Sequence, residues 1–346
     1  MKYLCLFFAV ICPGLVWSQE DDGLQFSGYL EGYYSYDFNQ PDNHEKPSFI
    51  NHYHRHNEFN INLAYLQSQY QNKNVRANLG LMLGTFGQKI RKEEPLWAQM
   101  VYQANMGVKL SEGFWLDVGI MPSHFGGEGQ IGMENVSLSP SILAENTPYY
   151  FTGAKLTYEK LKQWEFLLWL TNGWGNIQKK DRFQSLGLGA GVSYYPSNQL
   201  KISYNNYLGN EAPQTMKLFR FYNNLWIQYS RGQWGGNIRL DYGLEDHPFS
   251  TFNEWWGVMA QLKRSLTESF ALGLRGEYFR DDSKVVMMDI SRLSGYSINL
   301  DYYLTKDAMA RMEFKTFYSQ GPHFERPAGK LSQSNSAITL VLSITI

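Results

Sequence analysis

Three histidines at alternate positions are the first candidate for chemistry. In the stretch "HYHRH", His52, His54 and His56 have the spacing at which one strand edge presents three imidazoles to a metal ion. No carboxylate is tied to the cluster by its place in the sequence, so a polar loop that contains histidine is the favoured interpretation. Metal binding at these residues is a weak hypothesis, and no cofactor is expected.

A glycine-rich stretch is the second candidate. "GEGQIG", from Gly127 to Gly132, satisfies the G-x-G-x-x-G pattern, in which a turn and a helix N-terminus hold a dinucleotide. The pattern has meaning only between the strand and the helix of a βαβ unit, whereas here an irregular chain runs on to Pro140. We therefore predict no dinucleotide site. The stretch lies in an excursion, 123–147, that carries three carboxylates: Glu128, Glu134 and Glu145.

The N-terminus predicts export. Lys2 is followed by the apolar run "YLCLFFAVICPGLVW", and Val16 and Ser18 are the small residues of a cleavage site, so residues 1–18 read as a secretory signal peptide. Both cysteines, Cys5 and Cys12, lie in this segment, and the mature chain is expected to contain no thiol. Isoleucine before Cys12 disfavours a lipid anchor. Residues 19–346 are predicted to form one domain.

Composition excludes two classes of protein. Without Lys2 the chain has 30 basic and 32 acidic residues, a net charge of −2, which gives no support for nucleic-acid binding. Mean hydropathy is −0.40, and no second long apolar segment exists, which excludes membrane-spanning helices. Aromatic residues make up 16% of the chain, a share typical of β-rich proteins.

The chain alternates with a period of two. In "NVRANLGLML", the apolar Val75, Leu79 and Leu81 are out of phase with Arg76 and Asn78, so one face is apolar and the other polar. "FALGLRGEY", "YSINLDYYL", "AMARMEFKTF" and "SAITLVLSITI" repeat the pattern. Sixteen such runs begin near Gln25, Glu58, Asn74, Ala98, Phe114, Tyr149, Gln163, Gln184, Gln199, Leu218, Gln233, Phe252, Glu268, Leu293, Ala308 and Asn335.

The links between runs fall into two classes. Each even-to-odd link is short, such as "QNK", "SEG" and "RG", and each odd-to-even link is predicted to be longer, such as "NQPDNHEKPSFINHYHRH". Short turns on one rim and long loops on the other are typical of outer-membrane barrels, whose tilted strands need about 9–11 residues to cross hydrocarbon. We predict an all-β, transmembrane, antiparallel up-and-down barrel of about sixteen strands, with fourteen or eighteen as alternatives.

A soluble β-sandwich is the competing fold. It would bury the apolar face against a second sheet, but the apolar face continues through nearly all the runs and the opposite face carries many charges. Aromatic residues also crowd the strand ends, as two interfacial girdles require. The proposed girdle residues are Tyr33, Tyr34, Tyr36, Trp97, Trp115, Tyr149, Tyr150, Trp164, Trp174, Tyr194, Tyr195, Trp255, Trp256, Tyr302 and Tyr303.

Several stretches resemble a known family. "SGYLEGYYSYDFNQP", "RHNEFNINLAYL", "NMGVKLSEGFWLDVGIMPSHFGGEGQIGMENVSLSPSILAENTPYYFTGAKLTY" and "TNGWGNIQ" are similar to the β-barrel porin-2 (OmpL-like) family of Bacteroidetes-type Gram-negative bacteria. The resemblance runs from Gly28 to Gln178. It implies an outer-membrane barrel that acts as a porin, with no catalytic residues to carry over. The C-terminal "VLSITI" departs from the aromatic ending of many such barrels.

The pleat assigns charged residues to the lumen. In a closed barrel, residues out of phase with the apolar face point inward, where water solvates them. The opposite assignment would place many charges in hydrocarbon, at about 2–4 kcal/mol for each midplane Arg or Lys. The predicted pore-lining residues are Glu31, Glu58, Arg76, Lys109, Asp117, Lys155, Lys201, Arg220, Arg239, Asp241, Arg275, Glu277, Asp301, Arg311, Glu313 and Lys315.

The glycine-rich excursion is the third long loop of this barrel. In general porins the third loop folds into the lumen, and by that analogy residues 123–147 are expected to constrict it. Glycines permit bends against the wall, and Glu128, Glu134 and Glu145 would face basic wall residues across a narrowed gap. A solvated surface loop with exposed glutamates is the alternative.

Two other functions compete with a porin. An outer-membrane hydrolase would use histidines at the rim, but no nucleophile and base are recognisable beside them, so we predict that the chain is not an enzyme. A closed structural or adhesin-like barrel is the stronger alternative. All seven histidines fall in long loops and are expected at one rim: His44, His52, His54, His56, His124, His247 and His323.

The sequence therefore predicts a porin of the cell outer membrane, a water-filled channel for passive diffusion of small hydrophilic solutes. Its expected partners are outer-membrane lipids, the barrel assembly machinery and the solutes themselves. A homotrimer follows only from analogy with general porins, and the sequence does not decide between a trimer and a monomer. The lining charges are nearly balanced, so no ion preference is predicted.

Overall fold

Sixteen antiparallel strands close into one barrel. The computed structural model describes residues 23–179, 185–211, 218–247, 250–287 and 289–346. The predicted signal peptide, 1–18, lies outside these residues. Neighbours in sequence pair around the barrel, and the first strand closes it against the last. The barrel strands are β1 (Gly23–Asp37), β2 (Phe59–Gln71), β3 (Val75–Leu83), β4 (Val101–Ser111), β5 (Phe114–Pro122), β6 (Tyr150–Tyr158), β7 (Trp164–Thr171), β8 (Gly187–Ser197), β9 (Leu200–Asn210), β10 (Phe219–Arg231), β11 (Trp234–His247), β12 (Ser250–Ser265), β13 (Phe270–Arg280), β14 (Arg292–Tyr303), β15 (Ala308–Ser319) and β18 (Ser334–Thr345).

The remaining elements are short and lie in the long loops. A hairpin of β16 (Phe324–Arg326) and β17 (Lys330–Ser332) occupies the last loop. Among the described residues no helix is long and apolar enough to cross a membrane. The helices are α1 (Thr85–Ile90), α2 (Leu96–Gln99) and α3 (Ile142–Glu145), with 3-10 turns at Gly132–Glu134 and Pro327–Gly329.

The predicted fold class and strand number are confirmed. On β3 the side chains of Leu79 and Leu81 point out of the barrel, and on β13 Leu274 does the same. Arg275, the residue after Leu274 on β13, is 4% exposed because its side chain points inward. An alternating pattern of this length leaves one solution, since a shift of register by one residue would exchange the two faces.

The two classes of links are present, with one exception. Residues 72–74 and 232–233 form tight turns. The first three long loops are loop 1 (residues 38–58), loop 2 (residues 84–100) and loop 3 (residues 123–149). The prediction of a long loop is wrong between β11 and β12, where His247 pairs with Ser250 and only residues 248–249 separate the strands. The residues predicted to form a long loop instead extend β11 and β12, which are 14 and 16 residues long.

Two smaller predictions are wrong. The fourth run was placed near Ala98, but Ala98 lies in α2 and the strand begins at Val101. Part of the aromatic girdle also points inward: Tyr33, Trp115, Tyr150 and Trp255 are at most 4% exposed, whereas Trp164 and Tyr302 are 40% exposed on the outer face. Adjacent residues of a strand point to opposite faces, so position in the pleat overrides residue type.

The half of the lumen next to the long loops is packed. Loop residues Ile50, Ile142, Leu143, Met287 and Ile290 form one buried cluster with inward aromatic residues of the wall. The wall residues of this cluster include Phe151, Trp169, Tyr207, Tyr222, Trp255, Phe279 and Phe317. The long loops therefore fold inward, and their apolar side chains find a core inside the barrel.

Candidate functional site

Loop 3, residues 123–149, runs inside the barrel from β5 to β6. Ile142, Leu143 and Ala144 are at most 2% exposed. The loop contains α3, whose N-cap Ser141 accepts a hydrogen bond from the Ala144 amide at 3.2 Å. Its irregular backbone offers many carbonyls and amides that no sheet ladder satisfies, and the wall supplies their partners.

Two arginines of the wall bind loop 3 carbonyls. Arg311 donates to the carbonyl oxygens of Gly132 at 2.5 Å and Val136 at 3.0 Å, and its Nε donates to Asp301 at 2.7 Å. Arg239 donates to the carbonyl oxygen of Gly126 at 3.3 Å. Asp241 accepts from Arg239 at 3.0 Å. Both guanidiniums are nearly inaccessible, with 1–2% of each residue exposed.

Arg275 and Lys315 hold the middle of the loop. Arg275 donates to the Ser139 carbonyl and, at 3.1 Å, to Glu313. Lys315 donates to the Pro140 carbonyl at 2.9 Å and lies 3.5 Å from Glu277. Glu277 and Glu313 themselves accept from loop amides, those of Ile142 at 2.6 Å and Ser139 at 3.1 Å. We call the inward face of β11, β13, β14 and β15 the anchoring sector.

The loop glutamates have three different environments. Burial raises the pKa of Glu128 although Arg275 lies 3.6 Å away. Burial also acts on Glu145, but His52 and its hydrogen bonds outweigh it and hold the pKa of Glu145 below its ordinary value. Glu134 borders the open lumen, and the surrounding wall displaces enough bulk water to raise its pKa to about 7. Of the three, only Glu128 contacts a basic wall residue directly, and Glu145 is paired with His52 of loop 1.

His52 joins loops 1, 2 and 3. Its imidazole Nδ1 lies 3.4 Å from Glu145 Oε1, and its ring packs on Phe86 of α1 with centroids 3.8 Å apart. The same carboxylate accepts from the backbone amides of Asn51 and His52, both at 3.1 Å. The contact is buried, since His52 is 0% and Glu145 6% exposed.

The predicted histidine cluster does not converge. His52 faces Glu145, His54 Nδ1 lies 3.3 Å from the Asn51 carbonyl, and His56 Nδ1 accepts from the Asp37 amide at 2.9 Å. Within the part of the chain that the structure describes, no group of three potential ligands is placed to hold a metal ion. The three alternate positions lie on an irregular loop, so the strand-edge spacing that motivated the hypothesis is absent.

His124 also departs from its expected position at the rim. It lies at the start of loop 3 inside the lumen, where its Nε2 donates to the Asn206 carbonyl at 2.9 Å. Burial lowers the pKa of this imidazole to about 4, so the ring is neutral at pH 7. His124 was grouped with the rim histidines because it lies in a long loop, although the same loop was expected to fold into the lumen.

The described residues enclose at least two cavities inside the barrel. The lower cavity, of about 750 Å³, lies toward the short turns, and the upper cavity, of about 370 Å³, lies among the long loops. Thr147, Pro148 and Tyr149 line both of them. This end of loop 3 forms the partition between the two spaces.

A second sector of the wall borders the lower cavity. Arg76 binds Asp117 through two hydrogen bonds of 2.6 and 2.5 Å and lies over the Trp115 ring at 4.4 Å. Lys155 lies 4.0 Å from Asp117. Lys201 lies over the Trp226 ring at 5.0 Å. We call the inward face of β2–β10 next to this cavity the cavity sector.

The remaining predicted lining residues have separate positions. Glu31 is inaccessible and accepts from Asn62 at 2.8 Å. Glu58 precedes β2 and pairs with Arg55 at 2.8 Å, so it belongs to loop 1 and not to the wall. Lys109 is exposed near the end of β4. Arg220 binds Glu245 at 2.7 Å near the long loops, with its guanidinium 5.2 Å from the Trp174 ring.

Uncharged polar residues form a part of the lining that the charge-based prediction missed. Gln67, Asn78, Gln103 and Asn205 all line the lower cavity. Their signal was present in the sequence, because each is out of phase with the apolar face of its strand. A prediction that counted every polar inward position would have found them.

Comparison with known proteins agrees with this architecture. A family model described as "Putative beta-barrel porin-2, OmpL-like" matches residues 23–346. A search of curated proteins found no match. The anion-selective porin from Comamonas acidovorans superposes with a TM-score of 0.63 at 7% identity, covering 94% of this chain and 99% of that one. The outer membrane channel DcaP of Acinetobacter baumannii gives 0.62 at 10% identity, covering 93% and 97%. OmpT of Vibrio cholerae in its trimer form gives 0.58 at 10% identity, covering 94% and 99%.

Proposed function

The chain belongs to the OmpL-like β-barrel porin-2 family and is an outer-membrane porin, and we propose that it passes small hydrophilic solutes by diffusion through a lumen that loop 3 constricts. The observation that carries the proposal is the asymmetric position of loop 3. Its backbone is bound to the anchoring sector, and the lower cavity remains on the other side. Solutes would pass between the two cavities at Thr147, Pro148 and Tyr149.

The charges support a hydrated path on one side of the loop. Lys155 and Lys201 are partly exposed on the cavity sector, and Glu134 is exposed on the loop opposite. A mixed lining of this kind solvates polar solutes and excludes apolar ones. We propose that the cavity-sector members of the predicted set line the pore, and that Arg239, Arg275, Arg311 and Lys315 position the constriction.

Single-channel recording tests the proposal. The mature protein, inserted into planar bilayers, is expected to give stepwise conductance. Replacing residues 126–146 by a short Gly-Ser linker is expected to raise the conductance of each step, because it removes the constriction. Shortening the exposed hairpin tip Pro327–Gly329 is the matched control and should leave the step unchanged. An unchanged step after the loop 3 deletion would contradict the constriction.

A closed barrel is the second candidate, and the packed long-loop half favours it. The buried cluster of Ile50, Ile142, Leu143 and Met287 fills part of the lumen next to the long loops. In that case intact protein would be silent in the bilayer at verified insertion, and only the loop 3 deletion would conduct. The family and the fold are those of non-enzymatic channels, and we propose no catalytic residue.

We also propose a homotrimer and a cleaved signal peptide. The trimer form of the Vibrio cholerae OmpT, which shares this fold, supports the first proposal. Light scattering of the detergent complex should give three chains per particle, and a single chain per particle would contradict the trimer.

N-terminal sequencing of outer-membrane material tests the cleavage of the signal peptide. The sequence should begin at Gln19, and a start elsewhere would contradict the cleavage site.

A further inference from the structure

Two arginines lie side by side on the outer surface of the barrel at the long-loop rim. Arg280 ends β13 and Arg292 begins β14, and the two residues are direct partners in the ladder between these strands. Both are in phase with the apolar outer face, as Leu274 is on β13. Their side chains are 40% and 44% exposed, so a molecule outside the barrel can reach both guanidiniums.

One carboxylate serves both arginines. Asp282, in the loop between the strands, accepts from Arg280 Nε at 2.6 Å and from Arg292 Nε at 3.2 Å. These hydrogen bonds hold the pKa of Asp282 below its ordinary value, so the carboxylate is ionised at pH 7. Two guanidiniums present more N–H donors and more charge than one carboxylate satisfies. Like charges directly opposite each other in a ladder also repel.

Neighbouring charges do not complete the site. Glu254, which faces outward on β12, accepts from a tyrosine hydroxyl of β11 at 3.3 Å and lies on the side of β13 away from Arg292. Lys284 and Asp289, the other exposed charged residues described in the loop between β13 and β14, have opposite signs. Among the described residues, Asp282 is the one carboxylate in an ion pair with Arg292. Positive charge therefore remains for a further anion.

A shallow groove lies on the same outer face, closer to the middle of the strands. Gly276 is about 13 Å along β13 from Arg280, and Ala260 of β12 is its partner in the ladder. A Cβ built on Gly276 would meet no atom within 4 Å. Tyr296 lies opposite Gly276 on β14, and Tyr278 is the next outward residue of β13. Small residues thus leave a hollow between aromatic rings.

A lipid of the outer leaflet matches both features. The long-loop rim of an outer-membrane barrel is the extracellular one, and Trp256, the ladder partner of Arg280, belongs to the aromatic level of the bilayer interface. A lipid at this level presents its headgroup phosphate to arginine, whose fork binds phosphate in a bidentate way. Its acyl chain then extends toward the bilayer centre, where the groove lies. A free anion would occupy the charged end and leave the groove empty.

We infer that Arg280 and Arg292 bind the phosphate of an outer-leaflet lipid whose acyl chain lies in the groove at Gly276 and Ala260. The two guanidiniums hold the headgroup from adjacent strands, and Asp282 competes with it for the same donors. Binding relieves the repulsion between the two arginines. The site lies on the outer wall, so it depends on the outer-membrane location of the chain and not on the proposed passage of solutes.

Native mass spectrometry tests the site with lipid A as the probe. The folded protein in detergent is titrated with diphosphoryl lipid A and, separately, with the same lipid after enzymatic removal of its phosphates. We expect saturable binding of the phosphorylated form, and binding of the dephosphorylated form that is weaker by about tenfold, since charge-assisted hydrogen bonds are lost. Equal binding of the two forms, or no saturable binding of either, overturns the inference.

Paired variants assign the binding to the arginines. Arg280→Gln with Arg292→Gln should weaken lipid A binding about tenfold. Arg231→Gln with Arg264→Gln is the matched control, because both of these arginines are exposed at the short-turn rim, and this pair should bind like the wild type. Asp282→Asn should strengthen binding, because it removes the competing carboxylate. Equal weakening by the two pairs, or binding that Asp282→Asn leaves unchanged or weaker, would contradict the assignment.

A filled groove distinguishes a lipid from a free anion. Gly276→Leu fills the hollow at a backbone position outside the left-handed region, so the barrel should fold. Lipid A binding should weaken several-fold, whereas Ala310→Leu, on the outer face of β15, should leave it unchanged. Inorganic phosphate at the same phosphate concentration should not displace lipid A. Unchanged binding in Gly276→Leu, or full displacement by inorganic phosphate, would refute a lipid as the occupant.

Bilayer recording separates this inference from the porin proposal. The arginine pair lies outside the lumen, so Arg280→Gln with Arg292→Gln should conduct in the same steps as the wild type. Conduction by a protein that binds no lipid A would refute the lipid site and leave the porin proposal intact. Saturable lipid A binding by a protein that is silent in bilayers would support the site and refute open conduction.

Discussion

The anchoring sector and the cavity sector show two uses of the same inward charge. Arg275 in the anchoring sector has an inaccessible side chain and contacts Glu128, Glu313 and the Ser139 carbonyl. Lys201 in the cavity sector is partly exposed and lies over aromatic rings at 5.0–5.1 Å. Both positions arise from the same alternation of a strand, and both point into the barrel.

Loop 3 makes the difference between them. Where it lies against the wall, each cation loses water and is compensated by carboxylates and backbone carbonyls, so its role is structural. Where it leaves a gap, the cation stays partly exposed, and we expect it to act on solutes. Inward orientation alone therefore does not identify a pore-lining residue, and the comparison predicts that equal substitutions in the two sectors have unequal effects.

The largest effect is expected from Arg275→Met. The substitution leaves Glu128, Glu277 and Glu313 buried around an apolar side chain, and breaking a buried ion network of this kind costs about 3–5 kcal/mol. The free energy of unfolding should fall by that amount in urea titrations in detergent, followed by tryptophan fluorescence. Loop 3 should also detach and raise the single-channel conductance.

Arg76→Met is the matched control in the cavity sector. Arg76 also has a carboxylate partner, Asp117, but water reaches its guanidinium, whose side chain is 16% exposed. The loss of stability should be smaller than for Arg275→Met, and the conductance step should change little. Equal losses for the two variants would refute the distinction between the sectors.

Leu274→Arg should have the next largest effect. Leu274 is adjacent to Arg275 on β13 but points to the outer face and is 52% exposed there. An arginine facing lipid near the midplane costs about 2–4 kcal/mol. Folding into lipid vesicles, measured by the heat-modifiable shift in gel mobility, should lose that free energy, whereas Leu274→Phe should lose little. Unimpaired folding of Leu274→Arg would contradict the assigned face.

The strands could be predicted because the alternation of apolar and polar residues is visible within each short segment of sequence. The alternation around Leu274 and Arg275 indicates both the strand and its two faces, and runs of this kind predicted the sixteen strands of the barrel. The register of neighbouring strands then follows from short turns such as 232–233. Trp115 was predicted for the outer girdle from its residue type, but its position in the pleat directs the side chain into the barrel. A prediction of the face from residue type alone is wrong at such positions.

The interior of the barrel was only partly predictable. Arg311 donates to the carbonyl of Gly132, which lies 179 residues earlier in the chain. This contact depends on the path of an irregular loop. The backbone groups of such a loop have no period, and their partners are set by the finished barrel. For the same reason His124 was expected at the rim, although it lies in the lumen.

Lys201→Met should have a modest effect on selectivity. Lys201 lies 5.0 Å from the Trp226 ring, and cation–π pairs of this kind contribute about 0.5–1 kcal/mol, so stability should barely change. Loss of one cation from the cavity should lower the anion-to-cation permeability ratio, measured as a reversal potential in a salt gradient. Lys162→Met, in the turn between β6 and β7, is the control. A ratio unaffected by Lys201→Met would place the permeation path elsewhere.

The smallest effect is expected from proton binding at Glu134. Its pKa is raised from 4.5 to about 7, so the folded state binds this proton more tightly than the unfolded state does. Its contribution to stability is therefore present at low pH, and the free energy of unfolding falls as pH rises from 4.5 to 7.

In the lumen, deprotonation of Glu134 between pH 6 and pH 8 adds one negative charge. The cation permeability should rise over this interval, and Glu134→Gln should abolish the change. Glu112→Gln, an exposed substitution in the turn between β4 and β5, should preserve it. A pH response that survives in Glu134→Gln would assign the titration to another group and separate loop 3 from the permeation path.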